Sequence, residues 1–332
     1  FDNERRLARL PRPPYNFLHR IITAEHCAPW RMESGGQVTA EFDVEPNTWF
    51  GSEYGDSQAP YAIVLEAGLQ ACGWLAAYMG SALVDSVDLS FRNLDGTATA
   101  HAPVMLTSAS TLTTKLTLLD VSQAAQMIIQ RYRFEVSRDA KPHLSGETTF
   151  GFFTAQALQS QAGLGTTPKV PITDTAQDNL PEEERAHWLT LASGRDRLRL
   201  LDRLDVFLPS GDGNRLEYLR ASADVDPNAW FFDAHFYQDP VCPGSLGLEA
   251  FLQLLRAAAI RRWGNGQPWG VTAAGPHRWS YRGQILPSCE RFTVEAVITS
   301  VNETERTLQA NGILNVDGID IYRMDGYTLG PA

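Results

Sequence analysis

The chain has 332 residues, enough for about two domains of about 150 residues each. Apolar residues make up 43% and charged residues 20%, a composition typical of globular proteins. The net charge of −11 argues against nucleic-acid binding, which needs a basic surface. No apolar run reaches the roughly 18 residues that a membrane span requires. The four cysteines form no CxxC pair, which predicts neither a disulfide framework nor a zinc site, and favours a cytoplasmic location.

A segment of the first half recurs in the second half. Residues 44–50 read VEPNTWF and residues 225–231 read VDPNAWF. Further on, a proline at 60, LEA at 65–67 and LQ at 69–70 recur as a proline at 243, LEA at 248–250 and LQ at 252–253. Internal repetition of this kind predicts two copies of one fold. The start at Phe1, without a basic and apolar leader, predicts a piece of a longer protein with no secretory signal.

In the first half, residues from Pro60 to Tyr78 predict a helix whose strongly polar side chains are Glu66 and Gln70. These two lie on one face, and a helix that is otherwise apolar is buried. The segment Phe91-Arg92-Asn93 predicts a turn. Alternating apolar residues then predict antiparallel strands over 112–119 and 125–137.

Between the halves, residues 156–178 are rich in Ser, Gly, Thr, Pro and Gln, which predicts a linker. Asn179 to Glu184 then predict the start of a short helix, because a capping Asn, an early Pro and first-turn acids favour it. The second half repeats the buried helix from Pro243, a turn at 281–283, and strands over 291–301 and 307–316. The fold class is therefore α+β.

Each buried helix carries one acid, Glu66 in the first and Glu249 in the second. Neither acid has a basic neighbour within one turn of its own helix. An isolated buried carboxyl has a raised pKa. We therefore expect both acids to stay protonated near neutral pH.

Residues 230–249 read WFFDAHFYQDPVCPGSLGLE. The HFYQDP phrase followed by PGSLGLE closely resembles the active-site segment of FabA-like β-hydroxyacyl-ACP dehydratases, of the decanoyl dehydratase/isomerase type. It resembles the dehydratase domains of polyunsaturated fatty acid synthases more closely still. Residues 70–78 and 279–284 extend the resemblance, so that it covers both halves.

The resemblance implies a double hotdog, in which two curved antiparallel sheets each wrap one long buried helix. The implied domains are residues 1–155 and 191–332, joined by a linker and short helix at 156–190. In that family two hotdogs pair, and each active site takes its histidine from one and its acid from the other. Here the pair would be intramolecular.

Carried over residue by residue, the resemblance implies His235 as the catalytic base and Glu249 at the family's acid position. The first-half acid position is Glu66, and its loop at 51–56 contains no histidine. One complete site is therefore expected, His235 with Glu66. Glu249 and Tyr54 would mark a vestigial second site.

The implied reaction is dehydration of a 3-hydroxyacyl thioester to a 2-enoyl thioester. A neutral imidazole suits removal of the proton α to the carbonyl, and a neutral carboxylic acid suits protonation of the departing hydroxide. The backbone N–H of Gly244 would bind the developing thioester enolate. Neither a metal nor an organic cofactor is required. The implied partners are an acyl carrier protein, whose phosphopantetheine carries the acyl group, and neighbouring synthase domains, with further pairing as a homodimer left open.

Other interpretations remain open at this point. A hotdog thioesterase would also bind acyl thioesters beside a helix acid. A non-catalytic acyl-binding module of a synthase would be expected to lack His235 or both helix acids. Isomerisation of the trans-2 to a cis-3 enoyl product is favoured by the motif. It is disfavoured by Glu rather than Asp at the acid position.

Several residues also have simpler readings. His235, Asp239 and Cys242 lack a fourth ligand and metal-site spacing. Ser245 lies in a GSLG sequence whose spacing does not match a nucleophile elbow, which indicates a helix first-turn residue. Arginines near the end of the second helix either dock an acidic carrier protein or complement the helix C-terminus: Arg256, Arg261 and Arg262. The remaining histidines are expected to be structural: His19, His26, His101, His143, His187 and His277.

Overall fold

A computed structural model describes residues 5–55, 57–84, 86–124, 127–165, 180–208 and 217–332. Over these ranges the chain forms one large antiparallel sheet with two long buried helices and three shorter ones. Within the same ranges, no helix combines the length and the hydropathy that crossing a membrane requires.

The strands are numbered in chain order. Those before the linker are β1 (Arg20–Glu25), β2 (Gln37–Val44), β3 (Ser90–Ala100), β4 (Ser110–Ala124), β5 (Met127–Arg138) and β6 (Lys141–Phe153). Those after it are β7 (Arg203–Leu208), β8 (Tyr218–Asp224), β9 (Trp269–Val271), β10 (His277–Tyr281), β11 (Arg291–Asn302), β12 (Thr307–Val316) and β13 (Ile319–Pro331). We call the residues up to the end of β6 the first half, and those from β7 onwards the second half.

The helices follow the repeat. They are α1 (Tyr61–Tyr78), α2 (Ala155–Gln159), α3 (Glu182–Ala192), α4 (Trp230–Ala234) and α5 (Gly244–Trp263). The long helices α1 and α5 each follow the second strand of their half. Helices α2 and α3 lie between the halves.

Strand order is the same in the two halves. From the outer edge inwards it is β1-β2-β4-β5-β6-β3 in the first half and β7-β8-β11-β12-β13-β10 in the second. The short strand β9 pairs separately with β13. The halves join where β3 pairs antiparallel with β10, with Trp279 opposite Gly96. The sheet is therefore continuous across the junction of the two repeats.

Each long helix is buried by its own half. Helix α1 packs on β2, β4 and β5, and α5 packs on β8, β11, β12 and β13. The two helices also contact each other. Every residue of α1 from Tyr61 to Cys72 is buried, as expected for a helix that is apolar on nearly all sides. This arrangement brings the polar residues of one helix next to the start of the other.

Most predicted elements are confirmed. Helix α1 has the predicted end at Tyr78, and β12 has the predicted bounds. The short helix begins with three glutamates in its first turn, whereas the predicted capping Asn179 and the centre of the predicted linker lie outside the described residues. The prediction of a turn at Phe91-Arg92-Asn93 is wrong, because these residues belong to β3. They pair with β6, which supplies the ladder hydrogen bonds that a turn would lack.

The packing of α5 on the sheet predicts an intolerant glycine. A Cβ atom added at Gly312 would lie 2.3 Å from the ring of Phe251 and 2.8 Å from the carbonyl oxygen of Glu295. We expect Gly312→Ala to lower the free energy of unfolding by about 1–3 kcal/mol, the usual effect of overpacking. Gly266→Ala is the control, since no atom lies within 4 Å of its added Cβ. Equal denaturant midpoints for the two variants would contradict this packing.

Candidate active site

A buried cavity of about 190 Å³ is lined by residues of both halves. Its lining includes His235, Glu66 and Gly244, three of the residues predicted for the site. The rest of its wall is mostly apolar and comes from α1, β3, β6 and the N-terminal segment: Leu7, Ala8, Leu10, Leu69, Gly73, Ala77, Phe91, Phe150 and Phe152. A mostly apolar wall with a few polar side chains suits a reactive head group joined to an acyl chain.

The imidazole of His235 is held as a neutral base. His235 directly follows α4, and its Nδ1 lies 2.9 Å from the carbonyl oxygen of Val241. Since a carbonyl only accepts, Nδ1 carries the proton and Nε2 keeps its lone pair. The pKa of His235 is lowered to about 3, chiefly by burial and to a smaller extent by the nearby Arg92, although the Val241 hydrogen bond acts to raise it. The ring packs on Phe236 with a centroid distance of 3.9 Å.

Glu66 is a buried carboxyl that, among the described residues, has neutral donors rather than a cation beside it. It lies on α1 and is 7% exposed. Its Oε1 accepts a 2.6 Å hydrogen bond from the hydroxyl of Ser245, and its Oε2 accepts a 3.2 Å bond from the side-chain amide of Gln70. Burial raises the pKa of Glu66, and these two donors oppose the rise. The structure therefore supports the expectation of a protonated acid here, because neutral donors compensate a buried charge less well than a cation does.

Gly244 is the first residue of α5, where backbone N–H groups have no acceptor within the helix. A Cβ at this position would lie 2.4 Å from the ring of Tyr281, so only glycine allows the ring to approach so closely. The hydroxyl of Tyr281 is buried and finds no hydrogen-bond partner in the described part of the chain. Both groups border the cavity and are donors that a bound oxygen can occupy.

An ion pair fixes the loop that carries His235. Arg92, on β3 of the first half, donates to both carboxylate oxygens of Asp239 at 2.8 Å. Its Nε donates to the side-chain oxygen of Gln284 at 2.7 Å. Burial raises the pKa of Asp239, but the Arg92 guanidinium outweighs it and the net pKa is lowered. Asp239 thus serves as an anchor between the halves, not as a metal ligand.

The expectation that Glu249 is an isolated acid is wrong. Glu249 is fully buried, and its Oε1 accepts a 2.7 Å hydrogen bond from the guanidinium of Arg256 and a 2.6 Å bond from the hydroxyl of Tyr54. Arg256 lies two turns further along α5, beyond the single turn considered in the sequence. The interpretation of Arg256 as a docking residue for a carrier protein is also wrong, because it is buried in this pair.

The remaining arginines near the end of α5 lie against other side chains. Arg261 packs over the rings of Trp188 and Phe207. Arg262 pairs with Glu217 and Glu303. Both contacts are consistent with a structural role at the helix end.

The first-half loop that lacks a histidine has a structural role. The buried carboxylate of Glu53 accepts hydrogen bonds of 3.0 to 3.2 Å from the backbone N–H groups of residues 196, 197 and 198. Tyr61 stands at the start of α1, where α5 has Gly244, and its hydroxyl lies 2.5 Å from Nε2 of His277. A bulky side chain therefore occupies the first-half position that corresponds to Gly244 at the cavity.

Within the described ranges, no group of three or more His, Cys, Asp or Glu side chains is arranged to hold a metal ion. His277 and His143 are buried and hydrogen-bonded to Tyr61 and to the carbonyl of Ala102, respectively. Burial lowers the pKa of both. These contacts are consistent with the structural roles predicted for them.

Some residues around the cavity were not identified from the sequence. Arg92 and Tyr281 belong to the two corresponding segments that were predicted as turns, 91–93 and 281–283. The recurrence of an aromatic residue followed by Arg was a signal, because a turn does not need those residue types. Ser245 was recognised only as a first-turn residue. Tyr15 lies before the first strand and carried no signal, although its ring packs edge-on against His235.

Comparison with known proteins agrees with this geometry. Residues 192–325 match the FabA-like domain family. The chain is 29% identical to a polyunsaturated fatty acid synthase protein of Thraustochytrium sp., one of the subunits of that synthase, over 98% of the chain. It spans 24% of the length of that protein.

Solved structures share the fold. The dehydratase domain from the CurF module of the curacin polyketide synthase superposes with a TM-score of 0.54 at 13% identity, covering 95% of this chain and 98% of that one. The dehydratase domain of RzxB from Pseudomonas fluorescens gives 0.53 at 13%, covering 96% and 98%. A putative oleoyl thioesterase from Lactobacillus plantarum gives 0.54 at 7%, covering 90% and 97%. At these identities the likeness establishes fold alone.

His235, Gly244 and Glu249 thus lie within the matched range 192–325. Glu66 lies outside that range, in the half of the chain that the synthase protein also resembles. The chain is thus similar over nearly its whole length to a polyunsaturated fatty acid synthase protein and shares the fold of polyketide synthase dehydratase domains, and its residues 192–325 match the FabA-like domain family.

Proposed function

We propose that this chain dehydrates 3-hydroxyacyl thioesters to 2-enoyl thioesters at a single site, with His235 as base and Glu66 as acid. The observation that carries the proposal is that these two side chains, from different halves, line one largely apolar cavity. We further infer that residues 1–155 and 191–332 are two hotdog units joined through residues 156–190. The family match and the shared dehydratase fold support the same reaction class.

The base and the acid change charge together. Nε2 of His235 removes the proton α to the thioester carbonyl while Glu66 protonates the departing hydroxide, which leaves as water. A neutral pair becomes an imidazolium and a carboxylate, and each new charge favours the other. The low pKa of His235 before the reaction keeps its imidazole in the basic form. The proton then returns from His235 to Glu66 to complete the cycle.

The negative charge that develops on the thioester oxygen needs donors. The first N–H groups of α5, beginning at Gly244, and the buried hydroxyl of Tyr281 border the same end of the cavity. The positive end of the helix favours negative charge there. We infer that Gly244 binds this oxygen and that the acyl group arrives on the phosphopantetheine of an acyl carrier protein, within a larger synthase.

A thioesterase is the second candidate, because a putative oleoyl thioesterase shares the fold. It would release a free acid, whereas a dehydratase leaves the thioester intact and forms a conjugated double bond. Product analysis by mass and absorbance therefore separates the two. The same analysis distinguishes a trans-2 from a cis-3 enoyl product, and so tests isomerisation.

The first test measures enoyl formation from a 3-hydroxyacyl thioester. We expect His235→Ala to reduce turnover by about 10²- to 10⁴-fold, the usual contribution of a general base. His101→Ala is the matched control, since His101 is exposed and bonds to Ser145 on the surface. Turnover by His235→Ala at the wild-type rate would contradict its role as base. Release of free acid by the wild type would favour the thioesterase.

The second test separates the two acids. Glu66→Gln removes the transferable proton but introduces no unpaired charge, so we expect loss of turnover with little change in stability. Glu249→Gln takes the carboxylate away from the buried Arg256, so we expect retained turnover but a loss of about 3–5 kcal/mol in stability. Denaturant unfolding and turnover of the folded fraction measure the two effects. The opposite pattern would mean that Glu249 is the acid.

The third test is the pH profile of kcat/KM. His235 needs to be neutral, and its pKa of about 3 predicts no rise in rate between about pH 5 and pH 8. Glu66 needs to be protonated, so the rate should fall as pH rises through its raised pKa. A rise centred near 6.5, the ordinary histidine value, would show that His235 is not desolvated as described.

A further inference from the structure

A chain of buried hydroxyl groups leads to Glu66 from outside its own helix. The hydroxyl of Ser245, in the first turn of α5, lies 2.6 Å from Oε1 of Glu66. The hydroxyl of Tyr15, in the N-terminal segment, lies 2.6 Å from Oγ of Ser245. Tyr15 is fully buried and Ser245 is 2% exposed. Three separate parts of the chain therefore meet at one carboxyl group.

If the proton of every hydroxyl group is to have an acceptor, the hydrogen bonds between Tyr15, Ser245 and Glu66 can have only one direction. If Tyr15 donates to Ser245, then Ser245 donates to Oε1 of Glu66, and all three groups are paired. If instead a proton on Oε1 is donated to Ser245, the Ser245 proton turns to Tyr15. The buried Tyr15 proton then has no acceptor, because its hydroxyl contacts only Ser245 among the described residues. Leaving a buried donor unpaired is costly.

We propose that Ser245, backed by Tyr15, is a positioning residue that makes Oε1 of Glu66 an acceptor and leaves Oε2 to carry the proton delivered to the substrate. This inference rests on the proposed function of Glu66 as the acid. Gln70 contributes from the other side, because its side-chain oxygen accepts from the N–H of Phe17 at 2.7 Å and so turns its amide N–H groups towards Oε2. Its bond to Oε2 is 3.2 Å, longer than the 2.6 Å bond to Oε1.

In the other half, the hydroxyl that reaches the acid comes from Tyr54 and not from the first turn of the facing helix. The repeat places Ala62 of α1 at the position of Ser245, and only its backbone N–H approaches Glu249, at 3.4 Å. Glu249 is instead compensated by the Arg256 guanidinium at 2.7 Å. A cation stabilises the carboxylate, whereas a hydroxyl chain orients the acid and compensates its charge less fully. Glu66, whose pKa is raised by burial, is thus the acid that faces a serine rather than a cation.

The other titratable groups around Glu66 are neutral at ordinary pH. Burial raises the pKa of each tyrosine and cysteine that faces it, and lowers that of His235 across the cavity: Tyr15, Tyr281, Cys72 and Cys242. Two arginines line the cavity: Arg92 is paired with Asp239, and Arg9 packs over the ring of Tyr237. Removing the Ser245 hydroxyl therefore changes the most direct influence on the ionisation of Glu66.

The test measures the ionisation of Glu66 directly, by carbon NMR of protein labelled at the glutamate carboxyl carbon, with the signal assigned by its loss in Glu66→Gln. We expect Ser245→Ala to raise the midpoint by about one to two pH units, since it removes a hydrogen bond to the charged form. Tyr15→Phe should shift it the same way by less, because it weakens Ser245 as a donor. This readout does not depend on turnover.

Matched controls exist for both variants. Ser222→Ala removes a buried serine hydroxyl that donates to the carboxylate of Asp205 at 3.1 Å, away from the cavity. Tyr132→Phe removes a buried tyrosine hydroxyl that donates to Gln130 at 2.9 Å. Both should leave the Glu66 midpoint unchanged. A Glu66 midpoint that is the same in Ser245→Ala as in these controls would overturn the proposal.

Kinetics provide the second arm. In Ser245→Ala we expect kcat to fall by about tenfold or more through misplacement of the acid. The alkaline limb of the pH profile should move to higher pH, because an acid with a raised pKa stays protonated longer. If Ser245→Ala has the kcat and the alkaline limb of the wild type, the positioning role is overturned while the dehydratase assignment stands. If the wild type is inactive but Ser245→Ala still shifts the Glu66 midpoint, the dehydratase assignment is overturned and the effect of Ser245 on Glu66 stands.

Discussion

Burying a carboxyl group that is not held by several backbone N–H groups requires either that it stay neutral or that a cation pair with it. The two long helices place one glutamate each in this position, and the chain uses both solutions. Glu66 meets hydroxyl and amide donors and keeps a raised pKa. Glu249 meets the guanidinium of Arg256. Equivalent residues in a repeated fold thus have different partners, and the proposal that Glu66 is the proton donor rests on this difference.

The repeat explains why this difference matters for the cavity. Because β3 pairs with β10, the two halves form one sheet, and the two buried helices contact each other across the junction. The start of α5 therefore faces the middle of α1. The Arg92–Asp239 ion pair fixes the histidine loop of the second half to a strand of the first half. A site divided between two copies in this way depends on the junction as much as on either copy.

Periodicity and repetition in the sequence were sufficient to predict the two long helices, several strands and the equivalence of the halves. The motif around His235 and the helical position of Glu66 also identified two residues that the structure brings to one cavity. The cationic partner of Glu249 was missed because Arg256 lies beyond one helical turn, and a local search considers only immediate neighbours, whereas a hydrogen bond to Tyr54 was among the alternatives and is present. Tyr15 was missed because contacts between distant, irregular segments leave no periodic pattern. The orientation of the hydroxyl chain depends on three-dimensional distances alone.

The N-terminal segment before β1 has a consequence for how the working unit is defined. In this segment the backbone N–H of Arg12 donates to the carbonyl of Ala234 in the second half, and the hydroxyl of Tyr15 is hydrogen-bonded to Ser245. A fragment chosen to begin at the first strand would keep the whole sheet yet lack one wall of the cavity. A fragment limited to the matched family domain would keep the histidine and lose the acid. Boundaries drawn from secondary structure or from family matches therefore cut through this site, and the smallest functional segment is set by hydrogen bonds to residues that belong to no regular element.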